Sequence, residues 1–173
     1  MPAKQGSLDN FCGIYSLVNA VSHLYGNRLK RKNLYLKLVN HFNQSYNIID
    51  LINYGMTNVE MDNLIMTVFQ QGYYYQHYPL IITMPYRGIS KLTTPQLFSQ
   101  INQFLNKYPD KRTSVIIGTQ YHWSVIQAID HKFIYFLDST DFNKAYRHSF
   151  SIVNKNKTYQ ISLDDIYFFE RVI

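Results

Sequence analysis

The chain has 173 residues, a formal net charge of +6 and a hydrophobic fraction of 46%, with 16 tyrosines and 11 phenylalanines. That length and apolar content predict one folded domain over residues 1–173 with a sizeable core, and they exclude a disordered chain. The single cysteine, Cys12, excludes an internal disulfide and any cysteine-rich zinc site, and it suits a reducing compartment.

No apolar run reaches the roughly 18 residues of a membrane span. The opening MPAKQGS has no apolar signal region, so a cytoplasmic protein without a propeptide is expected, with any export by a route that the sequence does not display. Lysine and arginine are scattered apart from residues 28–32, which read as a solvated helix face. No nucleic-acid partner, cofactor or metal is expected.

Residues 12–25 place Ile14, Leu17, Val18, Val21 and Leu24 on one helical face, and Gly26 is a helix stop. His23 falls off that stripe and reads as a surface residue. A second helix is predicted over 29–43, with Tyr35, Leu38, Val39 and Phe42 inward. Residues 45–55 are ambiguous. Thr57 and Glu60 make a capping-box pattern at the start of a third helix. Its stripe is Met61, Leu64, Ile65, Val68 and Phe69, and Gly72 ends it. Residues 80–84 read as a strand and 85–93 as a loop. Thr94 and Pro95 open a helix carrying Leu97, Phe98, Ile101, Leu105 and Tyr108 to Pro109. After Asp110 the texture changes to strand-like runs over 114–119, 122–129, 133–137, 150–153, 158–161 and 167–172. Helices first and strands second indicate an α+β fold with an antiparallel sheet in the C-terminal part.

Cys12 opens the first helix, beside unpaired backbone N–H groups and the positive end of the dipole. That position favours thiolate, the nucleophilic form, although lone buried cysteines are often inert. Gly13 has no Cβ, which lets a substrate approach the helix start closely. Among six histidines, His122 stands apart because it opens the apolar strand HWSVIQAI. His131 and His148 fall in polar turns. A base needs an orienting partner, and the hairpin formed by 122–129 and 133–137 supplies one. A two-residue turn at Asp130 and His131 puts Ser139 opposite His122; a three-residue turn over 129–131 puts Asp138 there. Either brings Asp138, at the end of an apolar strand, to the sheet end that holds His122. Asp141 reads as a loop carboxylate. Gln5, seven residues before Cys12, can supply an oxyanion donor beside the Cys12 amide if residues 6–11 fold back over the helix start.

This constellation resembles the papain-like cysteine peptidases: Gln before Cys-Gly at a helix start, His followed by an aromatic at a strand start, then Asp at the next strand's end. Within that superfamily it is most similar to the bacteriocin-processing peptidases, their stand-alone homologues and small bacterial effectors. The resemblance covers most of the chain at the level of fold and is motif-specific around 5–20, 122–125 and 138–139. It implies a helical N-terminal part that packs Cys12 against an antiparallel sheet carrying His122 and Asp138. It implies Cys12 as nucleophile, His122 as base and acid, Asp138 as orienting group, and Gln5 with the Cys12 amide as oxyanion hole. Two features depart from the pattern. The Gln-to-Cys spacing is one longer than the six of papain, and Phe11 stands where bacteriocin peptidases place Asp.

The expected activity is hydrolysis of a peptide or isopeptide bond in a protein or peptide substrate through a thioester. The same residues suit a glutamine deamidase or transglutaminase-like effector, because those reactions differ in acceptor and cleft. A binding module without turnover is the third reading, suggested by the Gln5 spacing and the many tyrosines.

Overall fold

The computed structural model describes residues 1–6, 9–153 and 156–173. Six α-helices and seven strands form among them. The helices are α1 (Cys12–Tyr25), α2 (Arg31–Ser45), α3 (Ile48–Tyr54), α4 (Asn58–Leu64), α5 (Gly72–His77) and α6 (Thr94–Leu105). The strands are β1 (Leu80–Thr83), β2 (Thr113–Thr119), β3 (Trp123–Ile129), β4 (Phe133–Leu137), β5 (Lys144–Tyr146), β6 (Phe150–Ser151) and β7 (Tyr159–Arg171). The fold is α+β. The open sheet runs β1-β7-β2-β3-β4-β5 with antiparallel neighbours, and β6 joins the start of β7 in parallel.

α1 forms where the apolar spacing predicts it, and all five stripe residues are buried. Strand alternation then divides the core. Ile116, Val125, Tyr167 and Phe169 face the cluster that holds α1, α2 and α4. Val115, Ile117, Ile126 and Phe168 face the cluster that holds α6. The sheet is therefore covered on both faces, and α1 lies against β2 and β3.

Several local readings change. α2 buries Leu34, Leu38 and Phe42, while Tyr35 and Val39 are half-buried, so its inward face is turned by about one residue. The ambiguous stretch contains α3, whose Asn47 side chain accepts from the Ile49 N–H and whose end turns at Gly55 with φ 79°. α4 starts with the predicted Thr57–Glu60 capping box but passes into a π-helical turn over Ile65–Phe69. Its five stripe residues are buried all the same. α6 is capped by Thr93 rather than Thr94, with Gln96 completing a capping box, and it stops at Leu105. β7 is one strand where the sequence shows two runs; a register shift against β2 between Ile117 and Thr119 absorbs the polar interruption. His23 is half-buried, not a surface residue, and burial and then the Lys111 charge lower its pKa.

Among the described residues, no helix is long and apolar enough to cross a membrane, and no three His, Cys, Asp or Glu side chains gather as a metal site requires.

Candidate active site

The loop ahead of α1 is pinned by its own polar side chains. Asp9 accepts from the Gly6 and Phe11 N–H groups at 3.2 and 3.1 Å. Asn10 donates to the Ile52 and Asn53 carbonyls at 2.8 and 3.1 Å, which ties the loop to the last turn of α3. Cys12 thus enters the helix at a defined place. It is 6% exposed, and its Sγ lies 3.9 Å from the Asn10 carbonyl oxygen. Gly13 packs closely against the segment below the helix start. A Cβ there would stand 2.2 Å from Met56 Cε and 3.4 Å from Trp123 Cδ1. The Trp123 indole N–H donates to the Met56 carbonyl at 2.8 Å, so the residue after His122 fastens the sheet to the segment under the helix start.

The hairpin adopts neither register that its turn suggests. Asp130 caps a turn by accepting from the Lys132 and Phe133 N–H groups at 2.7 and 2.6 Å. Ile129 pairs with Ile134, a shift between Ile126 and Ala128 follows, and Val125 then pairs with Leu137. Carried one step on, that register puts Asp138 across from Ser124. His122 lies two residues from Ser124, on the same face of the strand, so Asp138 meets His122 diagonally.

The result is a buried carboxylate bonded to a half-buried imidazole. Asp138 Oδ2 lies 2.7 Å from His122 Nε2, with the Asp138 side chain 1% exposed and that of His122 23% exposed. Ser124 Oγ donates to the same oxygen. The other carboxylate oxygen accepts from the Thr140 N–H at 2.8 Å and from Thr140 Oγ1 at 2.6 Å. Four donors saturate the group. Burial works against its charge, but the His122 bond and charge, with the Ser124 and Thr140 hydroxyls, hold its carboxyl below the ordinary range.

The Cys12 side chain is near enough to the His122 ring to raise its pKa. Burial alone would lower the His122 pKa. The bond to Asp138, the Cys12 side chain and the negative charge beside the ring outweigh it and push the pKa up to about 10. His122 and Asp138 therefore meet at the start of β3 and the end of β4, on the sheet that α1 packs against.

Gln5 is drawn to the same sheet end by a different contact. Its N–H donates to the Ser139 carbonyl at 2.9 Å, and its Oε1 accepts from Ser139 Oγ at 2.9 Å. Its Nε2 donates to the Asp9 carbonyl at 3.3 Å. An amide nitrogen carries two hydrogens, and that contact occupies one of them. Ser7 and Leu8, in the loop expected to fold over the helix start, lie outside the described residues.

Sequence reasoning passed over Ser124 and Thr140. Both leave a local signal: Ser124 shares a strand face with His122, and Thr140 stands two residues after an aspartate, the spacing of an Asx-type turn. Asp141 is exposed and paired with Lys4 at 3.2 Å, and His131 and His148 are exposed, as expected of loop residues. Beside the His122–Asp138 pair lies a cleft of about 230 Å³ lined chiefly by Ile117, Phe136, Phe142, Phe150 and Tyr159. Compared with protein-family models, with curated proteins and with solved structures, the chain matches none of them.

Proposed function

We propose that this protein is a thiol hydrolase of papain-like type that cleaves a peptide or isopeptide bond in a protein substrate. One observation carries the reading: His122 Nε2 lies 2.7 Å from a saturated, buried carboxylate, on the sheet against which the helix that begins with Cys12 packs. That is the order of groups that nucleophilic acyl transfer needs.

In this reading Cys12 Sγ gives its proton to His122 and attacks the substrate carbonyl carbon. The carbonyl electron pair moves to oxygen, where the Cys12 N–H and the remaining Gln5 amide hydrogen stabilise it. The intermediate collapses to a thioester as His122 passes the proton to the leaving amine. Water, deprotonated by His122, then attacks the thioester and restores the thiol. Asp138 is the positioning residue. It holds the ring by Nε2 and favours its charged form, while Ser124 and Thr140 hold Asp138.

The test is alkylation of Cys12 by iodoacetamide, with glutathione as the reference thiol. A proton held on His122 should make the ratio of the two rates rise as pH falls from about 8 to about 5, because a free thiol loses its thiolate below a pKa of about 8.5. A ratio near one that does not change with pH overturns the reading. Intact-mass analysis of protein targets separates the reactions. Fragments mean hydrolysis of the chain, and an unbroken chain heavier by about one dalton means deamidation of glutamine, with the same acyl chemistry behind both.

A further inference from the structure

The far end of α1 borders a second cavity, in which the acyl chemistry has no part. Its volume is about 450 Å³, and it lies between the last turn of α1, the C-terminal end of α6, the loop before β2, and strands β3 and β4. Along α1, His23 stands about 16 Å from Cys12 at roughly 1.5 Å per residue.

The lining divides by chemistry. Leu105, Pro109, Ala128 and Ile129 make an apolar wall. His23, Asn102, Lys111 and Gln127 bring polar groups, and among the described residues no Asp or Glu lines the cavity. Lys111 is held by an unusual backbone. Its φ is 51°, the left-handed region, and it is alone there among the described non-glycine residues. Its N–H donates to the Tyr108 carbonyl at 3.3 Å. Strained backbone of this kind gathers at ligand sites.

Three polar groups at the same corner lack a partner among the described residues. The half-buried His23 ring makes no hydrogen bond. Ser114 Oγ and Arg171 Nε are buried and unpaired. Val115 pairs with Ile126, so one step back Ser114 stands opposite Gln127 on the α1 face of the sheet. Arg171 Nη1 donates at 3.1 Å to the carbonyl of Leu24, the residue after His23. Buried polar groups are ordinarily paired, and an unpaired one is costly until a ligand or water satisfies it.

The charges around His23 limit the ligand. Burial and then Lys111 lower its pKa, so the ring is neutral at pH 7 and can both donate and accept. On its other side it borders Met1 and Arg31, and the Arg31 guanidinium is committed to Ser22 Oγ at 2.6 Å and to the Met1 carbonyl. The Tyr135 hydroxyl is committed to Asp130 at 2.8 Å. One lysine is therefore the charge that the cavity offers. A single carboxylate matches it, a phosphate dianion would find one charge for two, and a cation would meet Lys111 with no acid beside it.

We propose that this cavity binds a small monocarboxylate with an apolar body, the carboxylate against Lys111 and His23 and the body on Leu105 and Ile129. The volume lies within the roughly 300–1,000 Å³ of small-molecule sites. The ligand does not depend on what Cys12 does.

The experiment is a titration of wild-type protein with 3-phenylpropionate, 3-phenylpropionamide and inorganic phosphate at pH 7, followed by the NMR shifts of the His23 ring protons. The carboxylate should give saturable shifts and bind at least about tenfold more tightly than the amide, the scale of a hydrogen bond to a charged group. Saturation with it should raise the His23 pKa, because a bound anion favours the imidazolium. Lys111→Gly removes the charge at a position whose φ glycine adopts without strain. That variant should keep the fold and lose most of the discrimination between carboxylate and amide. No His23 shift with the carboxylate, equal binding of carboxylate and amide, or full discrimination by Lys111→Gly overturns the site. Phosphate binding more tightly than the carboxylate overturns the ligand class.

Discussion

His122 is where charge, burial and stability meet. Folding moves its pKa from the ordinary 6.5 up to about 10, against the pull of burial. A group whose pKa is raised in the folded state stabilises that state fully below the unfolded value, and the contribution is lost as pH rises through the folded value. The melting-temperature gap between wild-type protein and His122→Gln should therefore be widest near pH 6 and close as pH approaches about 10. A gap that stays constant over that range would mean the ring is not held as the cation. Asp138 has the opposite sign. Its lowered pKa contributes stability above the ordinary carboxylate value, and that is lost only on acidification through the folded value. The pair is thus strongest in mildly acidic to neutral solution, where both charges are present.

At the scale of elements, caps and registers decide more than propensity does. α6 is held at its start by a Thr93–Gln96 capping box, with Gln96 Oε1 accepting from both the N–H and the hydroxyl of Thr93 at 2.9 Å. Thr93→Ala should cost about 1 kcal/mol, read as a lower urea midpoint with an unchanged denaturant slope. Because α6 packs on the sheet face away from α1, Cys12 alkylation should stay as in wild-type protein. The β3–β4 hairpin shows the other kind of control. Its Asp130-capped turn and the shift between Ile126 and Ala128 together move the register by two residues from the one that a three-residue turn over 129–131 gives. That shift puts Ser124, rather than His122, directly across from Asp138, and the diagonal contact supplies a hydroxyl and an imidazole to one carboxylate oxygen.

Across the whole molecule, the helical side and the sheet meet at Trp123. Its ring lies 6.0 Å from that of Tyr167, and its indole N–H satisfies the Met56 carbonyl beneath the start of α1. Trp123→Phe keeps an aromatic ring and removes the donor. It should destabilise the fold by roughly 1–3 kcal/mol, the cost of leaving a buried carbonyl unpaired, as measured by chemical denaturation. No loss would mean that the carbonyl finds another donor. The sequence by itself determined the elements whose signals are local. The α1 stripe, the Thr57–Glu60 capping box, the α+β order and the gathering of His122 and Asp138 at one sheet end are set by residues near one another in the chain, whereas the α6 box starts at Thr93, one residue before the Thr94 cap that the sequence indicates. It also marked Cys12 as a helix-start thiol. The tertiary structure alone decided the rest, because those choices depend on partners far along the chain. Gly13 packs against Met56 and Trp123. His23 is half-buried beside Lys111. The two runs of β7 join because β2 absorbs the irregularity. Gln5 is tied to Ser139 by a contact that spans 134 positions. Periodicity names each residue's face, but only tertiary packing lays α1, which begins with Cys12, against β3.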